Sequence, residues 1–157
     1  TASGATWAPN TITYSGNNRT HMIRVPGPGR FELRLMDGAT NPYLLQAGIL
    51  AAGIDGIEKK RNPGKPINVN MYEEGHKVKG AKKLPLTLEK ALSHLGKSTV
   101  MKDAFSKETI DSYIKLKNKE IKKYQSSNTK KIGFKGSKQS NKKNIITQWE
   151  KDNTLDC

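Results

Sequence analysis

The chain is short of the features that would place it outside a reducing, aqueous compartment. Its 157 residues hold one cysteine, the terminal Cys157, so no disulfide framework and no cysteine-based zinc site can form within them. A cytoplasmic setting is therefore expected. Long apolar runs are missing too: the uncharged stretch 38–54 is broken by Asn41, Pro42, Gln46 and three glycines, and falls short of the roughly 20 apolar residues of a membrane helix. No membrane partner is expected. The first residue is Thr1, with no basic-then-apolar leader after it, which points to a fragment or processed product and not to a secreted protein. At 17.4 kDa the chain has room for one ordinary domain or a piece of a larger one.

Acidic residues are also scarce, 14 against 28 Lys and Arg. The resulting +14 suggests an acidic or phosphate-bearing partner. The excess is uneven, with net +2 over residues 1–76 and net +12 over residues 77–157. All five Arg (Arg19, Arg24, Arg30, Arg34 and Arg61) precede the lysine-only half. Arg offers a rigid fork for phosphate and carboxylate, whereas Lys is a hydrated point charge. Chemistry is thus expected early in the chain and solvation late.

The early residues read as strands and tight loops: runs at 11–15, 21–25 and 30–35, separated by Gly16-Asn17-Asn18 and by Pro26-Gly27-Pro28-Gly29. In the third run Phe31, Leu33 and Leu35 share one face, expected to be core, and Arg30, Glu32 and Arg34 the other. Pairing the last two runs as an antiparallel hairpin sets Ile23 opposite Phe31 and Arg24 opposite Arg30, with residues 25–29 as the loop. Asn41-Pro42 opens a helix as N-cap and first position. The sequence after it, from Tyr43 to Ile57, is apolar nearly all round, which predicts a buried helix and the spine of the core. Residues 61–80, with Tyr72 near the middle, form a long excursion. Leu88, Ala91, Leu92 and Leu95 predict an amphipathic helix stopped by Gly96. Ser106 can cap another that carries Ile110, Tyr113, Ile114, Ile121 and Tyr124. Residues 125–146 are rich in Lys, Ser and Asn and are expected to be a disordered insert.

Four Arg and one Glu within residues 19–34 are the strongest chemical signal. A solvated sheet face would more often mix Lys, Thr and Glu. Clustered guanidinium groups repel one another, and an anionic ligand such as a polyphosphate gives them a reason to converge, with Glu32 able to hold a divalent cation on that phosphate. His21, His76 and His94 are spread too widely for a metal site and are expected to be surface or hydrogen-bonded histidines. Lys97-Ser98 is not a P-loop, because that motif needs a Gly where Ala91 stands. The lysine run 122–143 lacks interleaved aromatics beyond Phe134, so it reads as a solvated tail; a basic nucleic-acid-binding protein is the alternative from another class.

Asn18-Arg19-Thr20, Ile23-Arg24-Val25-Pro26, Arg30-Phe31-Glu32-Leu33-Arg34-Leu35, Asp37-Gly38-Ala39, Asn41-Pro42-Tyr43-Leu44 and Ala51-Ala52-Gly53-Ile54-Asp55-Gly56-Ile57 together resemble the C-terminal part of the glutamine synthetase catalytic domain. The short Pro-Gly loop and the closing Thr147-Gln148-Trp149-Glu150 are most similar to the type III glutamate-ammonia ligase branch. The resemblance implies an α+β fold of antiparallel strands backed by helices. It assigns residues 1–124 to the catalytic domain, 125–146 to an insert and 147–157 to the domain's tail. It also implies ATP-dependent ligation of glutamate and ammonia through γ-glutamyl phosphate, with Mg or Mn as cofactor and a ring-shaped homo-oligomer as the assembly. By similarity Arg19 and Arg34 would serve catalysis and substrate binding, Arg24 and Arg30 the ATP phosphates, and Glu32 the metal. Ammonia-using relatives carry a flap Glu twelve residues before the Arg matching Arg19; here that place belongs to Trp7. A small amine, methylamine, is therefore a rival nucleophile, with a cation-π contact to Trp7. The resemblance places the remaining metal ligands before Thr1, so this chain alone is expected to be inactive. Tyr72 stands where some relatives are adenylylated.

Overall fold

The structure, a computed structural model, describes residues 8–131. Trp7, residues 132–146 of the expected insert and the tail 147–157 lie outside the described residues. The described chain is α+β, with a three-stranded sheet and four α-helices. It divides into two units: residues 8–40 with 61–87, and residues 41–60 with 88–131. No described helix is long and apolar enough to cross a membrane.

The first unit holds β1 (Tyr14–Ser15), β2 (Ile23–Gly27) and β3 (Arg30–Leu33), in the order β1-β2-β3. The expected all-antiparallel arrangement needs correction, because β1 pairs with β2 in parallel while β2 and β3 are antiparallel. The hairpin register also differs from the expected one. Ile23 faces Leu33, Arg24 faces Glu32 and Gly27 faces Arg30, so the turn contracts to Pro28-Gly29. The cause is local: Pro28 presets its own φ, and Gly29 at φ +75° takes the left-handed position that a type II turn requires. Between Arg24 and Gly27 the ladder shifts. Val25 and Pro26 together oppose Phe31, a bulge that accommodates a proline with no N–H to donate. Because the register moves by two residues, the partition of side chains between faces survives.

The interior of this unit is largely polar, with Met71 its buried apolar residue among the described residues. Thr13, Ser15, Thr20 and His21 are buried, and His21 is fully enclosed, whereas the expected core residues Phe31 and Leu35 are 64% and 42% exposed. This corrects the reading of β3's apolar face as core. The reason lies in the excursion after Arg61, which covers the strands with backbone and polar side chains. Ile67 N–H donates to the Tyr14 carbonyl at 3.0 Å, Tyr14 Oη to the Gly64 carbonyl at 2.7 Å, Ser15 Oγ to Asn68 Oδ1 at 2.8 Å and Met71 N–H to Thr20 Oγ1 at 3.0 Å. Every buried side-chain polar atom among the described residues has a partner, as burial of such groups demands.

The second unit holds α1 (Pro42–Glu58), α2 (Leu88–Lys97), α3 (Thr99–Phe105) and α4 (Lys107–Lys131). Asn41 caps α1 as expected, its Oδ1 accepting from the Tyr43 and Leu44 N–H groups at 3.0 and 3.1 Å, a contribution of about 1 kcal/mol. Yet α1 buries no residue, and Tyr43, Leu50 and Ile57 are 81%, 64% and 79% exposed. The expectation of a buried spine is corrected: within its unit α1 packs against α3, and one neighbour covers one side of a helix that is apolar on all of them. The core of this unit lies between α2 and α4, where Leu92 and Ile110 are buried, each worth roughly 1.5–3 kcal/mol. Gly96 does not stop α2. It lies inside the helix where a Cβ would come within 3.2 Å of Ile114 Cδ1, so glycine here permits the close approach of α4. Ser106 caps α4 as expected, accepting from the Thr109 N–H at 3.2 Å. The helix continues past Gln125, with the Ser126 and Ser127 hydroxyls donating to the Lys123 and Tyr124 carbonyls.

Candidate active site

The bulged hairpin and the turn after β1 bring three of the five expected site residues into contact. On one face of the sheet Arg24 Nη1 donates to Glu32 Oε2 at 2.7 Å, and Arg34 Nη1 donates to Glu32 Oε1. The Arg24 and Arg34 side chains are 14% and 17% exposed and that of Glu32 40%. Arg34 also reaches back to the chain that carries Arg19, its Nε donating to the Arg19 carbonyl at 3.1 Å. Arg19 thus joins the cluster through its backbone. It is exposed, as is Arg30, and neither side chain makes a hydrogen bond or ion pair among the described residues.

Two charge-assisted pairs on one carboxylate fix its protonation. The Arg24 guanidinium first, and then that of Arg34, hold the Glu32 carboxyl below its ordinary value, against a smaller opposing effect of desolvation. The sign follows directly. A depressed carboxylate keeps its pairing above the ordinary glutamate range and loses it as pH falls through the lowered value. The Glu32 side-chain carbon resonance is therefore expected to titrate at lower pH than that of a glutamate in a model peptide, and Arg24→Met should move the titration upward; an unmoved midpoint would contradict the pairing.

Glu32, each oxygen of which already accepts from an arginine, could give at most one oxygen ligand to a divalent cation. It does not make a cation site by itself, since Mg and Mn ask for about six oxygen ligands, and no group of three His, Cys, Asp or Glu that could hold a metal occurs among the described residues. Tyr72 lies close enough to Arg34 to feel its charge, yet partial burial dominates and raises the phenol above its ordinary value. Its hydroxyl donates to the Ala8 carbonyl at 3.0 Å.

By sequence Asn17 is a loop residue and His21 a surface or hydrogen-bonded histidine. Asn17 Oδ1 accepts from both Nε and Nη2 of Arg24, at 2.8 and 2.5 Å. His21 Nδ1 lies 3.0 Å from Thr13 Oγ1, and its Nε2 lies 3.0 Å from the Val69 carbonyl. No spacing rule would have singled out Asn17, because its partner is set by the fold of the turn. A histidine next to Thr20, between Arg19 and Arg24 and just before β2, is the available hint for His21.

Residues 3–133 match the family described as glutamine synthetase, catalytic domain. The chain is 51% identical over 156 residues to a glutamine synthetase of Rhizobium leguminosarum bv. phaseoli, covering 99% of this chain and 32% of that protein. It is 45% identical over 124 residues to a glutamate–methylamine ligase of Methyloversatilis universalis, covering 77% and 28%. Among solved structures it is similar to a GmaS/ADP complex, with a TM-score of 0.73 and 46% identity over 99% of this chain and 31% of that one. The chain thus spans about a third of the length of these relatives.

Proposed function

We propose, because the chain belongs to the glutamine synthetase catalytic-domain family, that it supplies the arginine-lined wall of the active site of an ATP-dependent C–N ligase. In the favoured reading the whole protein joins ammonia to glutamate through γ-glutamyl phosphate, in the cytoplasm and as a homo-oligomeric ring. The observation that carries this is the Arg24–Glu32–Arg34 cluster. Phosphoryl transfer leaves little covalent work for a protein and depends on placed positive charge. Arg24 and Arg30 would hold the ATP phosphates, Arg34 and Arg19 the substrate carboxylate and the transferring phosphoryl group. Glu32 would give one oxygen ligand to Mg or Mn, a cation that neutralises phosphate charge when bound. The other donors must come from outside the described residues, and on that ground the chain alone is inactive.

Residues 1–124 and 147–157 would belong to the catalytic domain, with 125–146 an insertion. The type III branch is the proposed subgroup, supported by the two-residue Pro28-Gly29 turn. Methylamine is the second reading, supported by Trp7 at the flap position and by the likeness to a glutamate–methylamine ligase. The nucleic-acid reading of the lysine-rich half finds no support in these relatives.

The test is an assay of the full-length enzyme with ATP and glutamate, following phosphate release and the mass of the product with ammonium or methylamine. Glutamine formation with ammonium is expected. Formation of γ-glutamylmethylamide alone would select the second reading, and absence of amine-dependent ADP formation with both would overturn the proposal.

A further inference from the structure

Arg24 is held from a side that the proposed reaction does not explain. The turn after β1 is tied down by hydrogen bonds. The Gly16 carbonyl accepts from the N–H groups of Val25 and Asn18 at 3.1 and 2.8 Å. Asn18 Oδ1 accepts from the Thr20 N–H at 2.9 Å and from Thr20 Oγ1 at 2.7 Å, and Asn18 Nδ2 donates to the Val69 carbonyl at 3.0 Å. Asn17, between two tethered neighbours, is left to present its side chain to Arg24. Both Arg24 atoms that meet it are donors, so the oxygen of the Asn17 amide must face Arg24 and its nitrogen must face away.

We propose that Asn17 is a positioning residue for nucleotide binding, orienting Arg24 so that the outer edge of its guanidinium faces the phosphates. This rests on the assignment of Arg24 to the ATP phosphates made above. A guanidinium has five N–H groups in one plane. Asn17 takes the one on Nε and one on Nη2, and Glu32 takes one on Nη1. What remains is one N–H on each Nη, two donors for the oxygens of a phosphate. Glu32 alone would leave the plane free to turn about that single contact; the second hold, on Nε and Nη2, removes that freedom. The chemistry of the holder matters as well. A neutral carbonyl fixes the guanidinium and leaves its charge uncancelled, whereas a second carboxylate would cancel it.

The experiment uses the full-length enzyme, with ATP affinity measured directly and KM and kcat measured separately. Asn17→Ala and Asn17→Ser, the second retaining a turn-forming residue too short to reach Arg24, are each expected to weaken ATP binding roughly 10- to 150-fold, the range of one hydrogen bond to a charged group. KM for ATP should rise with kcat changed less, and the melting temperature should stay put because Asn17 is exposed. Combined with Arg24→Ala, neither change should weaken binding further, since Asn17 acts only through Arg24. ATP affinity within twofold of the parent in both variants, or losses that add to that of Arg24→Ala, would overturn the role of Asn17 and leave the ligase reading standing. A parent enzyme that does not bind ATP, or one indifferent to Arg24→Ala, would instead remove the premise.

Discussion

Arg34→Ala in the full-length enzyme is expected to lower kcat by roughly 10²–10³-fold, the loss typical of deleting one donor that meets charge developing in a transition state. Arg34 is anchored at two points. Its Nη1 pairs with Glu32, its Nε holds the Arg19 carbonyl, and its side chain is only 17% exposed. Removing it frees one oxygen of Glu32 and unties the segment that carries Arg19, so the damage reaches two further groups. Arg34→Lys should recover little, because an ammonium on a flexible stem cannot replace a planar fork. Steady-state kinetics beside circular dichroism would check this. A kcat within threefold of the parent, in a folded variant, would remove Arg34 from the proposed chemistry. Arg30→Ala provides the contrast: its exposed side chain should influence KM for ATP while leaving the melting temperature unchanged.

The second large effect concerns stability. His21→Ala is expected to cost about 2–5 kcal/mol, the sum of a cavity and lost hydrogen bonding at a fully enclosed site. The Val69 carbonyl only accepts, so Nε2 carries the proton and Nδ1 accepts from the Thr13 hydroxyl. After the change Val69 keeps Asn18 Nδ2 as a partner, but the buried Thr13 hydroxyl loses its acceptor. His21→Gln, able to mimic the Nε2 donor, should recover part of the loss. Urea unfolding would measure the total. Amide exchange at Ile67 and Met71, whose N–H groups bond to Tyr14 and Thr20, would reveal whether the excursion loosens first. A loss below about 0.5 kcal/mol would mean that the ring is not a fastening between the two segments.

The helices were the most readable part of the chain, because their signals are local. Asn41-Pro42 and Ser106 announce α1 and α4, and the spacing of Leu92 and of Ile110 identifies the faces that pack. α3 escaped, being seven residues long with no apolar period to detect. Gly96 was misread for a related reason: a glycine that ends a helix and one that admits a neighbouring helix look alike until the neighbour is known. In the hairpin the alternation of β3 revealed which side chains share a face but not the slip of two residues, since a bulge leaves the alternation intact. The grouping of Arg24, Glu32 and Arg34 was therefore legible while the pairing was not. The polar interior of the first unit was not legible at all. Thr13, Ser15, Thr20 and His21 become core residues through the excursion 61–80 folding onto them, a contact roughly fifty residues away in sequence.

The bareness of α1 has a practical side. Pro42–Glu58 offers aromatic and aliphatic groups to water while fully helical and capped, so the fluorescent dye ANS would find binding places on these 157 residues folded by themselves. Brightening of that dye, ordinarily taken as the mark of a molten globule, would here accompany intact structure and could not serve as a readout of denaturation.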